Sequence, residues 1–306
     1  MLSYILPFIV LILVVVFIHE YGHYYFAKRY GVGITDFSIG FGQELFGWND
    51  KSGTRWKICW IPLGGYVKFF GDRNVFSQAD QEKIIKKYSE EDRKKLFVLK
   101  PLYQRVLIVF GGPLANFLLA LVIFFSIYTF VGKDFTPAVI NEVQKDSPAM
   151  TGGLKQNDVI LEIDGNKVKS IMDVPKYITM STDDIIDFKV KRSYDELILK
   201  ITPDIVLSED NLGNKINKRM VGIKLGAYNN EINHIKLGPA QAIYHAAHEV
   251  YYVSISSLKY IGAMIFGKAD TSQLGGPIRI AKISGQVAEF GVLAFISMMA
   301  YISISL

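Results

Sequence analysis

Apolar residues fall along the chain in two long blocks and one shorter terminal block, with short alternating runs in the middle. Leu2 to Phe17 is apolar apart from Ser3, Tyr4 and Pro7, and the block continues past His19 through Tyr24, Tyr25 and Phe26 to Ala27. A membrane-spanning helix needs about 20 mostly apolar residues, so this block is long enough to span. It has no basic start and no small-residue cleavage site, and it ends in Lys28 and Arg29. It therefore reads as a retained first helix and not as a signal peptide. A second span is predicted from about Arg105 to Val131, with its glycines and Asn116 suited to close helix packing and Asn116 facing protein. The run from Phe290 to Leu306 begins a third span at the lower length limit, so the chain reads as truncated there.

The middle section carries a different period. Ala138 to Val143, Asp158 to Gly165, Ile186 to Arg192 and Leu197 to Ile201 are short apolar or alternating runs set between turn residues, the pattern of strands. They predict a small β-rich domain, with a helical stretch at Pro175 to Met180 covering one edge. Gly238 to Phe266 is helical but mixed, because His245, His248, Glu249 and Lys259 interrupt its aromatic and aliphatic residues. An amphipathic helix lying in the membrane interface fits that mixture better than a full span. The expected fold is a polytopic α-helical membrane protein with an inserted β-rich domain. Its parts are a membrane core over 1–131 containing a β-hairpin region at 33–70, the inserted domain over 136–228, and an interfacial helix with the start of the third span over 237–306.

Composition agrees with a membrane class, since half of the residues are apolar. The net charge of +5 is a matter of topology and not of nucleic-acid binding. Lys28, Arg29, Lys51, Arg55, Lys57, Lys68, Arg73, Lys83, Lys86, Lys87, Arg93, Lys94, Lys95 and Lys100 crowd the segment between the two spans, which the positive-inside rule makes cytoplasmic. Everything from Lys133 to about Lys236 then lies on the outer side. The single cysteine, Cys59, excludes an internal disulfide and is too little for a thiolate metal site.

The chemistry is carried by His19-Glu20-Tyr21-Gly22-His23, an H-E-x-x-H pentapeptide near the predicted cytoplasmic end of the first helix. Residues four apart on a helix are separated by only about 40 degrees around the axis, so both imidazoles can reach one tetrahedral Zn2+. Glu20 lies on the adjoining face, where it can act as general base on a water activated by the metal and pass the proton to the leaving amide nitrogen. Ionisable groups inside an apolar span normally exist because something binds or reacts there. A second cluster, His245-Ala-Ala-His248-Glu249, lacks a Glu directly after its first His and reads as the polar face of the interfacial helix.

With those residues in view, the chain resembles the site-2 protease family, in particular its RseP-type bacterial members. The matching stretches are HEYGHYYFAKRYGV at His19 to Val32, FSIGFG at Phe37 to Gly42, IPLGGYVKF at Ile61 to Phe69, GGPLANF at Gly111 to Phe117, SPAMTGGLKQNDVILEIDGNKV at Ser147 to Val168, and GGPIRIAKISG at Gly275 to Gly285. The resemblance implies a zinc endopeptidase of the cell inner membrane that performs regulated intramembrane proteolysis. Its partners would be the lipid bilayer and single-span membrane proteins such as anti-sigma factors, with an extracytoplasmic PDZ domain screening substrates already trimmed outside. Phe37 to Lys68 looks like the family's membrane-associated β-hairpin loop, which would hold a substrate strand by edge addition. The family's third zinc ligand, an Asp in an N-x-x-P-x-P-x-L-D-G stretch, is expected beyond Leu306; Glu249, Asp270 and Glu289 are poor substitutes. The PDZ region shows an S-P-A, G-L, D-V-I and I-D-G core without a Gly-Leu-Gly-Phe carboxylate loop. Two other classes compete: a catalytically silent PDZ-bearing membrane scaffold, suggested by the missing ligand, and a transporter, which the lack of an inverted repeat weakens.

Overall fold

The computed structural model describes residues 2–71, 88–209, 215–227, 232–267 and 276–306. Arg73, Lys83, Lys86, Lys87, Asp270, Gly275 and the expected domain boundary at 228 lie outside the described residues. The chain forms two compact units, Met1–Ile123 with Pro277–Leu306, and Phe124–Gly276.

In the first unit, helix α1 (Leu2–Arg29) is followed by a long antiparallel hairpin of β1 (Ile34–Asn49) and β2 (Arg55–Phe69). Asp50 in the connecting turn accepts hydrogen bonds from the backbone N–H groups of Ser52 and Thr54, from Trp56 Nε1 and from the Tyr24 hydroxyl, which ties the hairpin to α1. Trp56 stacks on Phe37 at 4.1 Å and on Trp48 at 5.9 Å. The far part of the hairpin leaves Phe41, Leu45, Phe46, Trp60, Ile61 and Leu63 exposed. Helix α2 (Leu102–Ser126) crosses α1 where two glycines meet. A Cβ on Gly111 would fall 2.6 Å from the Gly22 carbonyl oxygen, so the backbones touch in the manner of small-residue membrane interfaces.

Two helices complete this unit. The stretch Pro277–Glu289, to be called α5, packs along α1 with Gly285 against Tyr4, and α6 (Val292–Ser305) donates a hydrogen bond from Ser303 Oγ to the Asn116 carbonyl at 2.9 Å. Two helices of the described residues, Tyr4–Arg29 and Leu102–Val131, are long and apolar enough to cross a membrane; α6 is a shorter apolar helix.

The second unit begins with a π-type turn, Ile127–Val131. Strands β3 (Lys133–Asp134) to β12 (His234–Ile235) follow. The main sheet has the order β11-β4-β5-β7-β8, formed by Ile223–Gly226, Val139–Val143, Val159–Ile163, Ile186–Arg192 and Asp195–Ile201, with the short β6 (Asn166–Lys167) also pairing with β5. On β7 the alternation is visible: Ile186, Phe188 and Val190 are buried while Asp187 and Lys191 face water. Helix α3 (Asp173–Met180) seals the core with Val174, Tyr177 and Ile178. Arg192 forks onto the fully buried Asp158, with Nε and Nη2 each 2.8 Å from a carboxylate oxygen. A separate hairpin of β9 (Asp204–Glu209) and β10 (Lys215–Met220) stands outside the main sheet.

Helix α4 (Pro239–Ile265) belongs to this unit and not with the third apolar run. One of its faces is buried on the β-rich domain: Tyr177 packs on Tyr252 at 5.0 Å, and Lys176 pairs with Glu249 at 2.7 Å. The expectation that Glu249 sits on a polar outer face is thereby corrected. Its carboxylate is buried because α3 supplies an ammonium to hold it there.

Candidate metal centre

His19, Glu20 and His23 lie on one unbroken stretch of α1, in an environment that holds both rings from the side facing α2. The two imidazole centroids are 4.9 Å apart. His23 Nδ1 is 2.8 Å from the carbonyl oxygen of Ile108. A carbonyl can only accept, so Nδ1 carries the proton and Nε2 is left with a bare lone pair, the form a metal requires. Pro113, one residue past Gly112, has no N–H for the carbonyl of Val109, which loosens the α2 ladder beside the Ile108 carbonyl.

His19 Nδ1 is 3.0 Å from Asn116 Nδ2, and Asn116 Oδ1 has no hydrogen-bond partner among the described residues. A ring binding metal through Nε2 must be protonated at Nδ1, and the amide serves that tautomer when Oδ1 is the end turned to the ring, which a half-turn of the amide provides. Asn116 is itself anchored through its backbone carbonyl by Ser303.

The space in front of the rings is made by a missing side chain. A Cβ built on Gly112 would fall within 2.6 Å of Nε2 of both His19 and His23, so the two lone pairs converge on the place that any other residue would fill. The donor set and this open cradle fit a zinc ion held by His19 and His23. Among the described residues no group of three His, Cys, Asp or Glu side chains is placed to hold a metal ion together. Glu249 is taken by Lys176, and Asp270 lies outside the described residues.

Glu20 is 9% exposed and makes no hydrogen bond among the described residues. A carboxylate kept from water without a partner costs stability, and such groups are kept where they react. On its other side lies the hairpin: a Cβ on Gly65 of β2 would be 2.8 Å from Glu20 Cγ. Gly65, Gly112 and Asn116 are site residues that the motif alone does not reveal. Their trace in the sequence is membership of the LGGY and GGPLANF stretches.

The second unit has a groove of its own. A cavity of about 330 Å³ lies between β11 and α3, with Val174, Ile178, Val221 and Ile223 among its walls. β11 is a terminal strand of its sheet, and Gly222 just before it has φ +79°.

Comparison with known proteins places these features. The model of peptidase family M50 matches residues 7–306. A candidate zinc metalloprotease of Agrobacterium fabrum is 39% identical over 304 residues, covering 99% of this chain and 80% of the relative. One from Mesorhizobium japonicum is 35% identical over 100% of this chain and 83% of its own. Metalloprotease MmpA of Caulobacter vibrioides is 34% identical over 90% of this chain and 70% of its own. Among solved structures, the PDZ domain of an SdrC-like protein from Listeria monocytogenes aligns with 30% of this chain and 88% of its own, at 26% identity and a TM-score of 0.25. On the family match along nearly its whole length and on these identities, the chain belongs to peptidase family M50, the site-2 proteases.

Proposed function

We propose that this M50 zinc metalloprotease cuts single-span membrane proteins, anti-sigma factors among them, within the bilayer of the cell inner membrane, with Glu20 as general base and His19 and His23 as zinc ligands. The observation that carries this reading is the convergence of two imidazole Nε2 atoms on the open place at Gly112, inside a helix that is otherwise apolar. A zinc ion held by His19 and His23 would supply Lewis acidity to water and carbonyl. The Ile108 carbonyl and Asn116 fix the rings, and Glu20 takes the water's proton and delivers it to the leaving amide nitrogen. The backbone of β2 at Gly65 runs beside Glu20, which supports the hairpin as the guide for an extended substrate strand. Exposed Phe41, Phe46, Trp60 and Leu63 suit a hairpin dipped into lipid. The β-rich unit, as a PDZ domain on the outer side, would screen trimmed substrates through the groove between β11 and α3.

The test is cleavage of a pre-trimmed single-span substrate in membranes by the wild type and by Glu20→Gln, with zinc content measured in parallel. Loss of a general base lowers cleavage by about 100-fold to 10,000-fold. Zinc content should not change, because Glu20 is not a ligand. Full cleavage by the Gln variant would remove Glu20 from the mechanism. A silent scaffold would give no cleavage with either protein.

A further inference from the structure

The unit Phe124–Gly276 carries a group of cations that proteolysis does not use. Lys133 follows directly on the apolar end of the second span, and its ammonium stands 5.0 Å from the Tyr128 ring. The Lys169 ammonium lies 6.0 Å from the Tyr244 ring. His245 packs edge-on against Phe135 at 5.6 Å and Tyr244 at 5.4 Å, and His248 follows one turn later. Burial, and then the charges of Lys133 and Lys169, push the His245 imidazole down to about 4, with Glu249 acting in the opposite direction.

The carboxylates nearby are already engaged. Glu249 holds Lys176 at 2.7 Å. Asp173 accepts the backbone N–H groups of Lys169 and Ser170, and Asp134 accepts the hydroxyls of Thr136 and Ser170. Among the described residues, Lys133 and Lys169 have no ion-pair partner. Beside them opens a cavity of about 500 Å³ walled mainly by Phe135, Ile235, Leu237, Tyr244 and His245.

The outer face of α4 continues this apolar surface. Tyr244, Tyr251, Leu258 and Ile265 recur every seven residues and are 61, 67, 65 and 77% exposed, while Ala242, Ala246 and Val253 on the other face are buried. A stripe of that kind at the end of a spanning segment is covered by lipid when the helix lies on the bilayer surface.

We propose that this cavity seats one anionic phospholipid, its phosphate between Lys133 and Lys169 with the His245 ring as a further donor, and an acyl chain running along the aromatic wall towards the α4 stripe. The proposal presupposes the bilayer placement given above but not the proteolytic activity. The ligand is a lipid and not a free anion, because the cavity walls are mainly apolar, while the Lys169 ammonium lies by the ring of Tyr244, one of those walls.

The whole chain in a neutral detergent, titrated with dihexanoyl phosphatidylglycerol and followed by phosphorus NMR, tests this. One saturable site is expected, weakened about thirtyfold in Lys133→Gln/Lys169→Gln, as two basic side chains near a lipid phosphate would give. Lys155→Gln/Lys191→Gln, with the same charge change on exposed parts of the same unit, should bind as the wild type does. Equal binding by Lys133→Gln/Lys169→Gln and the wild type would overturn the site. So would inorganic phosphate or dihexanoyl phosphatidylcholine binding as tightly as phosphatidylglycerol. Should the double variant fail to fold, wild-type binding compared at 0.05 and 0.5 M salt (approximate values) decides: a charged site weakens with salt, and an unchanged affinity refutes it.

Discussion

Replacing Gly112 by Ala puts a methyl group where the structure converges two ring nitrogens. Ordinary contact begins near 3.4 Å, and the new Cβ would lie within 2.6 Å of both Nε2 atoms, so each ring must retreat by about 0.8 Å or more. Turning two imidazoles off their rotamers costs about 0.5 to 1.5 kcal/mol each. The substitution returns about 0.5 to 1 kcal/mol, because Ala is the better helix residue. The metal-free protein should therefore lose no more than about 2.5 kcal/mol. Zinc binding is a different matter: the methyl would occupy the place proposed for the metal and displace both rings. The affinity loss should exceed the roughly 100-fold upper range seen when only an outer partner of a ligand is removed. The contrast variant is Gly22→Ala, whose Cβ would meet the Gly111 backbone, with the Gly111 carbonyl carbon 2.6 Å away. Backbone cannot swing aside as a ring can, so this variant should separate α1 from α2 and unfold the unit. Zinc titration against a competing chelator and thermal unfolding in detergent, run on both variants, give the answer. Wild-type zinc affinity in Gly112→Ala would show that the metal does not sit there, and unfolding of Gly112→Ala to the extent of Gly22→Ala would show that the glycine serves packing alone.

Two further outcomes follow from other contacts. Asn116→Leu removes the amide that faces His19 Nδ1 at 3.0 Å but keeps the backbone carbonyl that Ser303 uses, so zinc affinity should fall about 10-fold to 100-fold while the helices stay packed; unchanged affinity by the same chelator competition would show that His19 needs no orienting partner. His245 is held down to about 4 by burial and by the cations Lys133, Lys169 and His248, against which Glu249 pulls the other way. Its folded form thus binds fewer protons than the unfolded chain between about 4 and 6.5, so stability of the second unit is full above that window and falls as the pH drops through it. The ring is partly solvated, which limits the effect to about 1 kcal/mol. Hydrogen exchange along α4 should rise on acidification in the wild type and rise less in His245→Gln, and equal pH responses would refute the assignment.

The parts of this protein that were legible in its sequence are those whose signal is local. Two long apolar blocks mark α1 and α2, strict alternation marks β7, and H-E-x-x-H marks one face of one helix. What escaped has mixed or non-local causes. α5 carries Arg279 and Lys282 within thirteen residues and is too short and too polar to announce a span. The β9–β10 hairpin stands off the main sheet and leaves Ile205 and Leu207 exposed, so burial imposes no inside-outside alternation on it. α4 reads as amphipathic, but sequence alone cannot tell which neighbour receives each face. Glu249 was misplaced because its partner, Lys176, lies 73 residues earlier.

The metal centre divides in the same way. The spacing of His19 and His23 selects the chemistry, yet a pair of histidines four apart on a bare helix would point at lipid. The proposed use of both as ligands would depend on residues 85 and 97 positions away, the Ile108 carbonyl that faces His23 and the Asn116 amide that faces His19. It depends equally on a helix that carries no side chain at Gly111 or Gly112, so that α2 can approach α1 closely enough to supply those partners and still leave an open place between the Nε2 atoms. Close packing and open space would ordinarily exclude one another. Consecutive glycines reconcile them, since the first brings the backbones together and the second leaves the gap, and this is why a GGP stretch in α2 belongs to the site as much as the histidines of α1 do.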